Sequence, residues 1–70
     1  MSIGGAEYVV VGAGSFGTAV AVLLARGGFK TTLQTRSPEQ AARLEADREN
    51  KAYLPEVPLP RELRVEPMSA

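Results

Sequence analysis

The chain contains no cysteine and no histidine. Their absence excludes disulfide bonds, thiolate nucleophiles and imidazole ligands for a metal ion. Charge of one sign is not in excess either, because 8 Lys and Arg residues balance 8 Asp and Glu residues. No overall electric field therefore draws the chain to nucleic acid or to an anionic membrane surface, and we expect neither as a partner.

Long apolar runs and targeting signals are also missing. No stretch approaches the roughly 18 unbroken apolar residues that a membrane-spanning helix needs. Residues 1–7 carry one acidic and no basic side chain, whereas a secretory leader begins with basic residues. We therefore expect a cytoplasmic protein. Its 70 residues amount to about half of an ordinary domain, so the chain is either a marginal small domain or a piece of a larger one.

Two strands and the helix between them are predicted in the first half of the chain. The apolar run within residues 6–11 is continuous, which is typical of a parallel strand buried on both faces. Between Ser15 and Arg26 apolar side chains recur at helical spacing, and two glycines follow as a stop signal. These side chains are Phe16, Ala19, Val20, Leu23 and Leu24. Three threonines around Leu33 predict a second strand over Lys30–Thr35.

A second helix is predicted to begin after Ser37. Ser37 is the expected N-cap, Pro38 suits the first helical position, and Gln40 completes a capping box. The helix should continue to about Arg48 or Glu49. Its narrow buried stripe is Ala41 and Leu44, and its charged residues are expected on a solvated face. Those residues are Arg43, Glu45, Asp47, Arg48 and Glu49.

The last third of the chain is rich in proline. Three prolines between Leu54 and Pro60 predict an extended loop without regular structure. A short third strand is expected near Leu63–Val65. The order strand, helix, strand, helix, strand predicts an α/β fold, namely an incomplete Rossmann dinucleotide-binding fold (β-α-β-α-β) with a parallel sheet. In a complete fold the first strand has a second neighbour, which comes from the other half of the domain.

The segment GAGSFG at residues 12–17 fits the pattern G-x-G-x-x-G between a strand and a helix. Gly12 permits the tight turn, Gly14 lets a pyrophosphate approach the backbone, and Gly17 lets the helix pack closely on the strand. The N–H groups around Ser15 and Phe16 then face the phosphates, assisted by the helix dipole. This pattern predicts a dinucleotide site. The alternative is a strand-to-helix turn without a ligand.

The position that contacts the adenosine ribose in such folds follows the second strand. A carboxylate there would bind the 2′-hydroxyl of NAD, but the chain has Arg36 instead. A guanidinium stacks on adenine and clamps a 2′-phosphate, which favours NADP, or acceptance of both cofactors. The alternative is that Arg36 is a solvated loop residue.

Two motifs together resemble one family. Residues 12–20, GAGSFGTAV, are similar to a common form of its glycine motif, and residues 50–60, NKAYLPEVPLP, are similar to its more specific N-x-x-Y-L-P segment. Over residues 7–66 the chain resembles the N-terminus of the bacterial-type NAD(P)-dependent glycerol-3-phosphate dehydrogenases. The resemblance implies a cytoplasmic oxidoreductase that reduces dihydroxyacetone phosphate to sn-glycerol 3-phosphate with NADH or NADPH, for phospholipid biosynthesis.

The family's cofactor contacts carry over to four positions of this chain. The resemblance implies that Ser15 and Phe16 contact the pyrophosphate, Arg36 the adenosine ribose, and Tyr53 the cofactor from the loop after the second helix. Family members often have Trp where this chain has Gln34, so the choice between NADP and NAD stays open. The resemblance also implies a homodimer when full length, and places the catalytic lysine, the substrate-phosphate ligands and a helical substrate domain beyond residue 70. Residues 1–70 would then form the N-terminal half of the Rossmann domain and contain no catalytic residue.

Two other functions stay open at this point. One is a different β-hydroxyacid-type dehydrogenase, such as a relative of 6-phosphogluconate dehydrogenase or ketopantoate reductase, which would lack the YLPEVPLP segment. The other is a non-catalytic nucleotide-binding module that is complete at 70 residues. An exposed apolar edge on the first strand would argue against that module, because such edges invite aggregation.

Overall fold

Residues 7–68 are described by a computed structural model, and they form two helices and five strands. In chain order these are β1 (Glu7–Val11), α1 (Ser15–Arg26), β2 (Lys30–Thr35), α2 (Pro38–Asp47), β3 (Glu49–Asn50), β4 (Leu54–Pro58) and β5 (Arg64–Pro67). The predicted bounds of α1 and β2 are confirmed. Ala6, expected at the start of the first strand, lies outside the described residues.

The strands β1, β2 and β5 form a parallel sheet in that order. Val10 pairs with Leu33 and Leu33 pairs with Val65, so these three side chains lie on the same face of the sheet. Both helices cover this face, as expected for two successive right-handed crossovers in one direction. The buried core lies between the sheet and the helices. The predicted incomplete Rossmann fold with a parallel sheet is confirmed.

The opposite face of β1 is exposed in the described chain. Val9 and Val11 retain 55% and 63% of their accessible surface. The expectation that the first strand is buried on both faces is wrong for these residues. The helices cover one face only, and β1 lies at the edge of the sheet with β2 as its neighbour.

Helix α1 buries a different face from the one that its large apolar residues suggest. Its buried residues are Thr18, Ala21, Val22 and Ala25. Phe16 and Leu23, by contrast, are 83% and 68% exposed. Small side chains lie against the sheet because they allow a close approach of helix and strand, while two of the largest apolar residues point away from it.

The predicted start of α2 is confirmed, and the predicted capping box is confirmed for its Ser37 half. Ser37 Oγ accepts a hydrogen bond of 3.1 Å from the N–H of Gln40, and Pro38 is the first helical residue. The Gln40 side chain reaches one residue further back than in a standard capping box, because its Oε1 accepts from the N–H of Arg36 at 3.1 Å. The helix ends at Asp47, one or two residues earlier than predicted, since Arg48 adopts the left-handed conformation with φ of 50°.

Arg48 is not the solvated helix residue that its sequence position suggests. Its Nη2 donates to the carbonyl oxygens of Pro60 and Leu63, at 2.6 and 3.1 Å. Its other terminal nitrogen is paired with Glu45. The guanidinium therefore fastens the segment before β5 to the end of α2. Leu63 of that segment and the preceding Leu59 are both buried in the core.

The expected loop between Leu54 and Pro60 is wrong, because its first part forms β4. This strand pairs antiparallel with β3 through two residue pairs, Glu49 with Pro58 and Asn50 with Leu54, separated by an irregularity. So short a pairing tolerates proline, because it needs few backbone N–H groups from β4. The third parallel strand is confirmed as β5, Arg64–Pro67, slightly later than expected.

Over residues 7–68, neither helix is both long and apolar enough to cross a membrane.

Candidate functional site

The glycine-rich turn connects β1 to α1 in a tight conformation. Gly12 has φ of 98°, which side-chain-bearing residues rarely adopt, and its N–H donates to the carbonyl of Gln34 at 2.9 Å. A Cβ atom added to Gly17 would lie 2.2 Å from the carbonyl oxygen of Gly12. These two glycines are therefore required by the backbone of the turn itself.

The first turn of α1 is open to a ligand in a way that α2 is not. Gly14 is the N-cap of α1 and no side chain caps it, whereas Ser37 caps α2. The first N–H groups of a helix have no partner within the helix. A Cβ atom added to Gly14 would meet nothing within 4 Å. The N-terminus of α1 thus combines free donors, a positive helix dipole and open space in front of the backbone.

A cleft of about 250 Å³ lies beside this turn. Its lining is Gly12, Ala13, Gly14, Arg36, Gln40, Tyr53 and Met68. The cleft lies at the carboxyl ends of the parallel strands, where open α/β sheets bind their ligands. Four of the seven residues predicted for the site therefore come together in one cavity: Gly12, Gly14, Arg36 and Tyr53.

The other three predicted residues lie around the turn but do not line this cleft. Ser15 joins it indirectly, because its hydroxyl donates a hydrogen bond of 2.7 Å to the carbonyl of Tyr53. Gly17 packs against Gly12 below the turn. The Phe16 side chain points into solvent, so that only its backbone is placed towards a ligand at the helix N-terminus.

A larger cleft of about 610 Å³ adjoins the first and shares Arg36, Gln40 and Tyr53 with it. Its other charged lining residues are Arg43, Asp47, Glu49 and Lys51. With Arg36 this makes three cationic side chains against two carboxylates. The two adjoining clefts, which share these three lining residues, are together called the groove.

Arg36 is the cation at the junction of the two clefts. The ion pairs among residues 7–68 join Arg48 with Glu45, Lys51 with Asp47, and Arg64 with Glu66. Arg36 belongs to none of them. Its backbone is held by Gln40 and its guanidinium has no carboxylate partner among the described residues. Arg43, in the larger cleft, is likewise in no ion pair among residues 7–68, but Arg36 is the unpaired cation that lines both clefts.

The segment Asn50–Tyr53 is attached to the glycine-rich turn by side-chain hydrogen bonds. Asn50 is 2% exposed, and its Nδ2 donates to the carbonyl oxygen of Ala13 and to Thr18 Oγ1, both at 2.8 Å. Together with the bond from Ser15 to Tyr53, these contacts join the two motifs that the sequence separates by more than 30 residues.

Sequence reasoning did not identify five residues of this arrangement: Ala13, Thr18, Gln40, Asn50 and Met68. Gln40 was expected only as a capping residue. Met68 follows the carboxyl end of β5, and its N–H donates to the Thr35 carbonyl at 2.9 Å. Its position at the end of a predicted strand was the sequence signal that could have placed it at the site. For Asn50 the signal was its place as the first residue of the N-x-x-Y-L-P motif.

No cluster of three potential metal ligands occurs among the residues that the structure describes. Beside the glycine-rich turn the arrangement offers backbone donors, the guanidinium of Arg36, and a half-exposed aromatic ring at Tyr53. These groups suit an anionic, ring-containing ligand.

Comparison with known proteins decides the family. The profile described as NAD-dependent glycerol-3-phosphate dehydrogenase N-terminus matches residues 7–69. The chain belongs to this family. A glycerol-3-phosphate dehydrogenase [NAD(P)+] of Citrobacter koseri is 48% identical over 66 residues, which are 94% of this chain and 20% of the relative. An Escherichia coli protein of the same name is 51% identical over 61 residues, 87% of this chain and 18% of the relative.

The fold agrees with a solved member of the glycerol-3-phosphate dehydrogenase family. The crystal structure of the Coxiella burnetii glycerol-3-phosphate dehydrogenase superposes with a TM-score of 0.79 at 37% identity. The superposition covers 84% of this chain and 18% of that chain. The chain thus spans about a fifth of the length of the curated relatives that it matches.

Proposed function

We propose that this chain holds the pyrophosphate and adenosine ribose of NAD(P)H in an oxidoreductase that reduces dihydroxyacetone phosphate to sn-glycerol 3-phosphate. The observation that carries the proposal is the uncapped N-terminus of α1, which opens beside the cleft that contains Arg36 and Tyr53. Membership of the glycerol-3-phosphate dehydrogenase family supports the reaction and the cofactor class.

The residues present fit the pyrophosphate of a dinucleotide. Its negative charges would be met by the N–H groups at Ser15 and Phe16 and by the helix dipole. Gly14 leaves the space that a close approach requires, since no atom lies within 4 Å of its would-be Cβ. Gly12 and Gly17 act indirectly, because they shape the turn and are not proposed to contact the cofactor.

The adenosine would extend from the turn along the groove, past Arg36 and Tyr53. Arg36 has no carboxylate partner among residues 7–68, so its guanidinium is available for a 2′-phosphate or for stacking on adenine. An acidic side chain, which would bind the 2′-hydroxyl of NAD and repel a 2′-phosphate, is absent from the lining of the smaller cleft. The two carboxylates of the larger cleft are already engaged, Asp47 by Lys51 and Glu49 by the N–H of Glu56. This arrangement favours NADP without rejecting NAD.

Chemistry at the nicotinamide would be supplied by parts of a longer protein. The bound cofactor provides the hydride, and this chain binds and orients its adenosine half. We infer that residues 1–70 form the N-terminal half of the Rossmann domain, followed by the rest of that domain and a helical substrate domain. The exposed Val9 and Val11 on β1 support this inference. The proposed full enzyme is a cytoplasmic homodimer whose substrate is small and phosphorylated.

The test is a segment exchange. The first part of the Escherichia coli relative would be replaced by the matching residues of this chain, and the chimera assayed for NADPH oxidation with dihydroxyacetone phosphate. We expect activity that a Gly14→Val change in the chimera abolishes, because the added side chain fills the space before the turn. A folded chimera without turnover, as judged by its thermal unfolding, would contradict the proposal.

A further inference from the structure

The glycine-rich turn does not hold its shape through glycines alone. We propose that Asn50 is a positioning residue that fixes the turn in its phosphate-accepting conformation, using both hydrogens of its side-chain amide. This inference rests on the proposed cofactor function of the turn. It assigns a role in ligand binding to the first residue of the N-x-x-Y-L-P motif, beyond its structural contacts.

The chemistry of its partners dictates how the Asn50 side chain is oriented. A backbone carbonyl oxygen such as that of Ala13 only accepts hydrogen bonds, so the amide nitrogen of Asn50 must face it. The second hydrogen on that nitrogen is directed to Thr18 Oγ1 at the same distance of 2.8 Å. One nitrogen atom therefore links the turn to the first turn of α1.

Burial makes these two hydrogen bonds hard to replace. Asn50, Ala13 and Thr18 are 2%, 4% and 0% exposed. Water does not reach such a site freely, so the loss of the Asn50 donor would leave the Ala13 carbonyl without a partner. A rotation of the peptide plane towards the cleft, which Ala13 lines, would give this carbonyl a partner again in the solvent.

That rotation would damage an anion site in particular. With its oxygen bonded to Asn50, the Ala13 carbonyl is turned into the protein, and the following N–H groups remain available at the cleft. A carbonyl turned towards the cleft would present a negative dipole end where the pyrophosphate charge is expected. Ser15, two residues after Ala13, is also restrained, because its hydroxyl donates to the Tyr53 carbonyl.

No side chain of similar size substitutes for asparagine here. Aspartate has the same shape but cannot donate to the Ala13 carbonyl when it is ionised, and it adds a negative charge behind the turn. Glutamine is one methylene longer and would overfill a buried position. The pair of acceptors, one carbonyl and one hydroxyl, matches the two donors of a short amide.

The test uses the ¹⁵N-labelled 70-residue chain and NMR titration with NADH and with NADPH. Asn50→Asp is the main variant, and Ala46→Asp is the control, because it adds the same charge at an exposed position of α2 that lines neither cleft. We expect Asn50→Asp to raise the Kd for both cofactors about tenfold. The ratio of the two Kd values stays unchanged, because the contact acts at the pyrophosphate that both share. The control stays within about twofold of the wild-type chain.

A purely structural role would give a different pattern. It would lower the folded fraction, seen as loss of native cross-peaks, while the folded molecules kept their affinity. Unchanged Kd values in folded Asn50→Asp would overturn the proposal, as would a change in the NADPH to NADH ratio. If the wild-type chain shows no saturable shifts, the proposed cofactor function itself fails, and this inference fails with it.

A measurement on the wild-type chain covers the case in which the variant does not fold. Asn50 is the single asparagine of the sequence, so its side-chain amide signals are identified once the two glutamines are assigned. Both amide protons should exchange slowly with water and shift when NADH binds. Fast exchange of either proton, or no shift on saturation with NADH, would overturn the proposal.

Discussion

The hydroxyl of Ser15 donates a hydrogen bond of 2.7 Å to the backbone carbonyl of Tyr53, 38 residues further along the chain. This contact ties the first residue of α1 to the residue before β4. It places the ring of Tyr53 beside the cleft at a defined distance from the glycine-rich turn. The glycine-rich turn and the segment that ends at Tyr53 thus meet at one candidate site.

Arg36→Glu should change which cofactor binds better. The variant removes the free cation at the junction of the two clefts and places a carboxylate there, which repels a 2′-phosphate and accepts from a 2′-hydroxyl. We expect the affinity for NADPH relative to NADH to fall at least about tenfold, as for the loss of one charged hydrogen bond. Titration of the chain with each cofactor measures this ratio.

Arg61→Glu is the control for that experiment, since it makes the same charge change in the exposed turn before β5. It should leave the ratio of the two affinities unaltered. An equal ratio in wild-type and Arg36→Glu chains would mean that Arg36 is a solvated loop residue.

Gly17→Ala and Gly14→Ala should separate stability from binding. The Cβ of the first would lie 2.2 Å from the Gly12 carbonyl oxygen, so we expect the free energy of unfolding to fall by about 2 kcal/mol. The second meets no atom within 4 Å and should cost less than about 1 kcal/mol, which is the loss expected when alanine replaces a better N-cap residue. Gly14→Ala should nevertheless weaken cofactor binding about tenfold, because its methyl group occupies the approach to the turn. Urea unfolding and cofactor titration of both variants would reveal a reversed pattern if the assignment is wrong.

Arg48→Ala should destabilise the chain without touching the site. The change removes the donors to the carbonyls of Pro60 and Leu63, so we expect a loss of about 2 kcal/mol in the free energy of unfolding. Arg43→Ala on the same helix is the control, as Arg43 is exposed and in no ion pair with a described residue, and its effect should stay within about 0.5 kcal/mol. Equal effects of the two changes in urea unfolding would show that the Arg48 contacts contribute nothing.

The 70-residue chain should not catalyse the reaction by itself. It carries no residue that we can assign to catalysis, and it spans about a fifth of its relatives. Mixed with NADPH and dihydroxyacetone phosphate, it should give no NADPH oxidation above a protein-free blank, while the Escherichia coli relative serves as the positive control. Steady turnover that scales with the concentration of the chain would refute this expectation.

Much of the fold was predictable because its signals are local. Ser37 and Pro38 mark the start of α2 within two residues, and the glycines at 12 and 17 mark the turn before and within α1. The alternation of strand and helix then leaves few arrangements for a parallel sheet. The confirmed bounds of α1 and β2 follow from such short-range patterns.

The errors arose where distant residues decide the outcome. The three prolines predict the absence of a strand after Leu54. The strand β4 nevertheless forms because it needs only two residue pairs with β3, and the proline pattern holds no information about that pairing. Val9 and Phe16 are apolar, yet both are exposed. The hydrophobicity of a side chain favours its burial but does not identify the element that covers it. The role of Asn50 depends on partners 32 and 37 residues away, and no periodicity in the sequence connects them.

The central claim is that the turn at residues 12–17 holds the shared pyrophosphate and that Arg36 favours the 2′-phosphate. The most direct measurement is an NMR titration of the folded 70-residue chain with NADPH and with NADH. We predict saturable shifts at the amides of Ser15 and Phe16 with both cofactors, with NADPH the tighter ligand. The Kd values should be about 1 mM, because the contacts proposed for this chain reach only the pyrophosphate and the adenosine ribose. A folded chain whose amides at these positions do not respond to either cofactor would contradict the account.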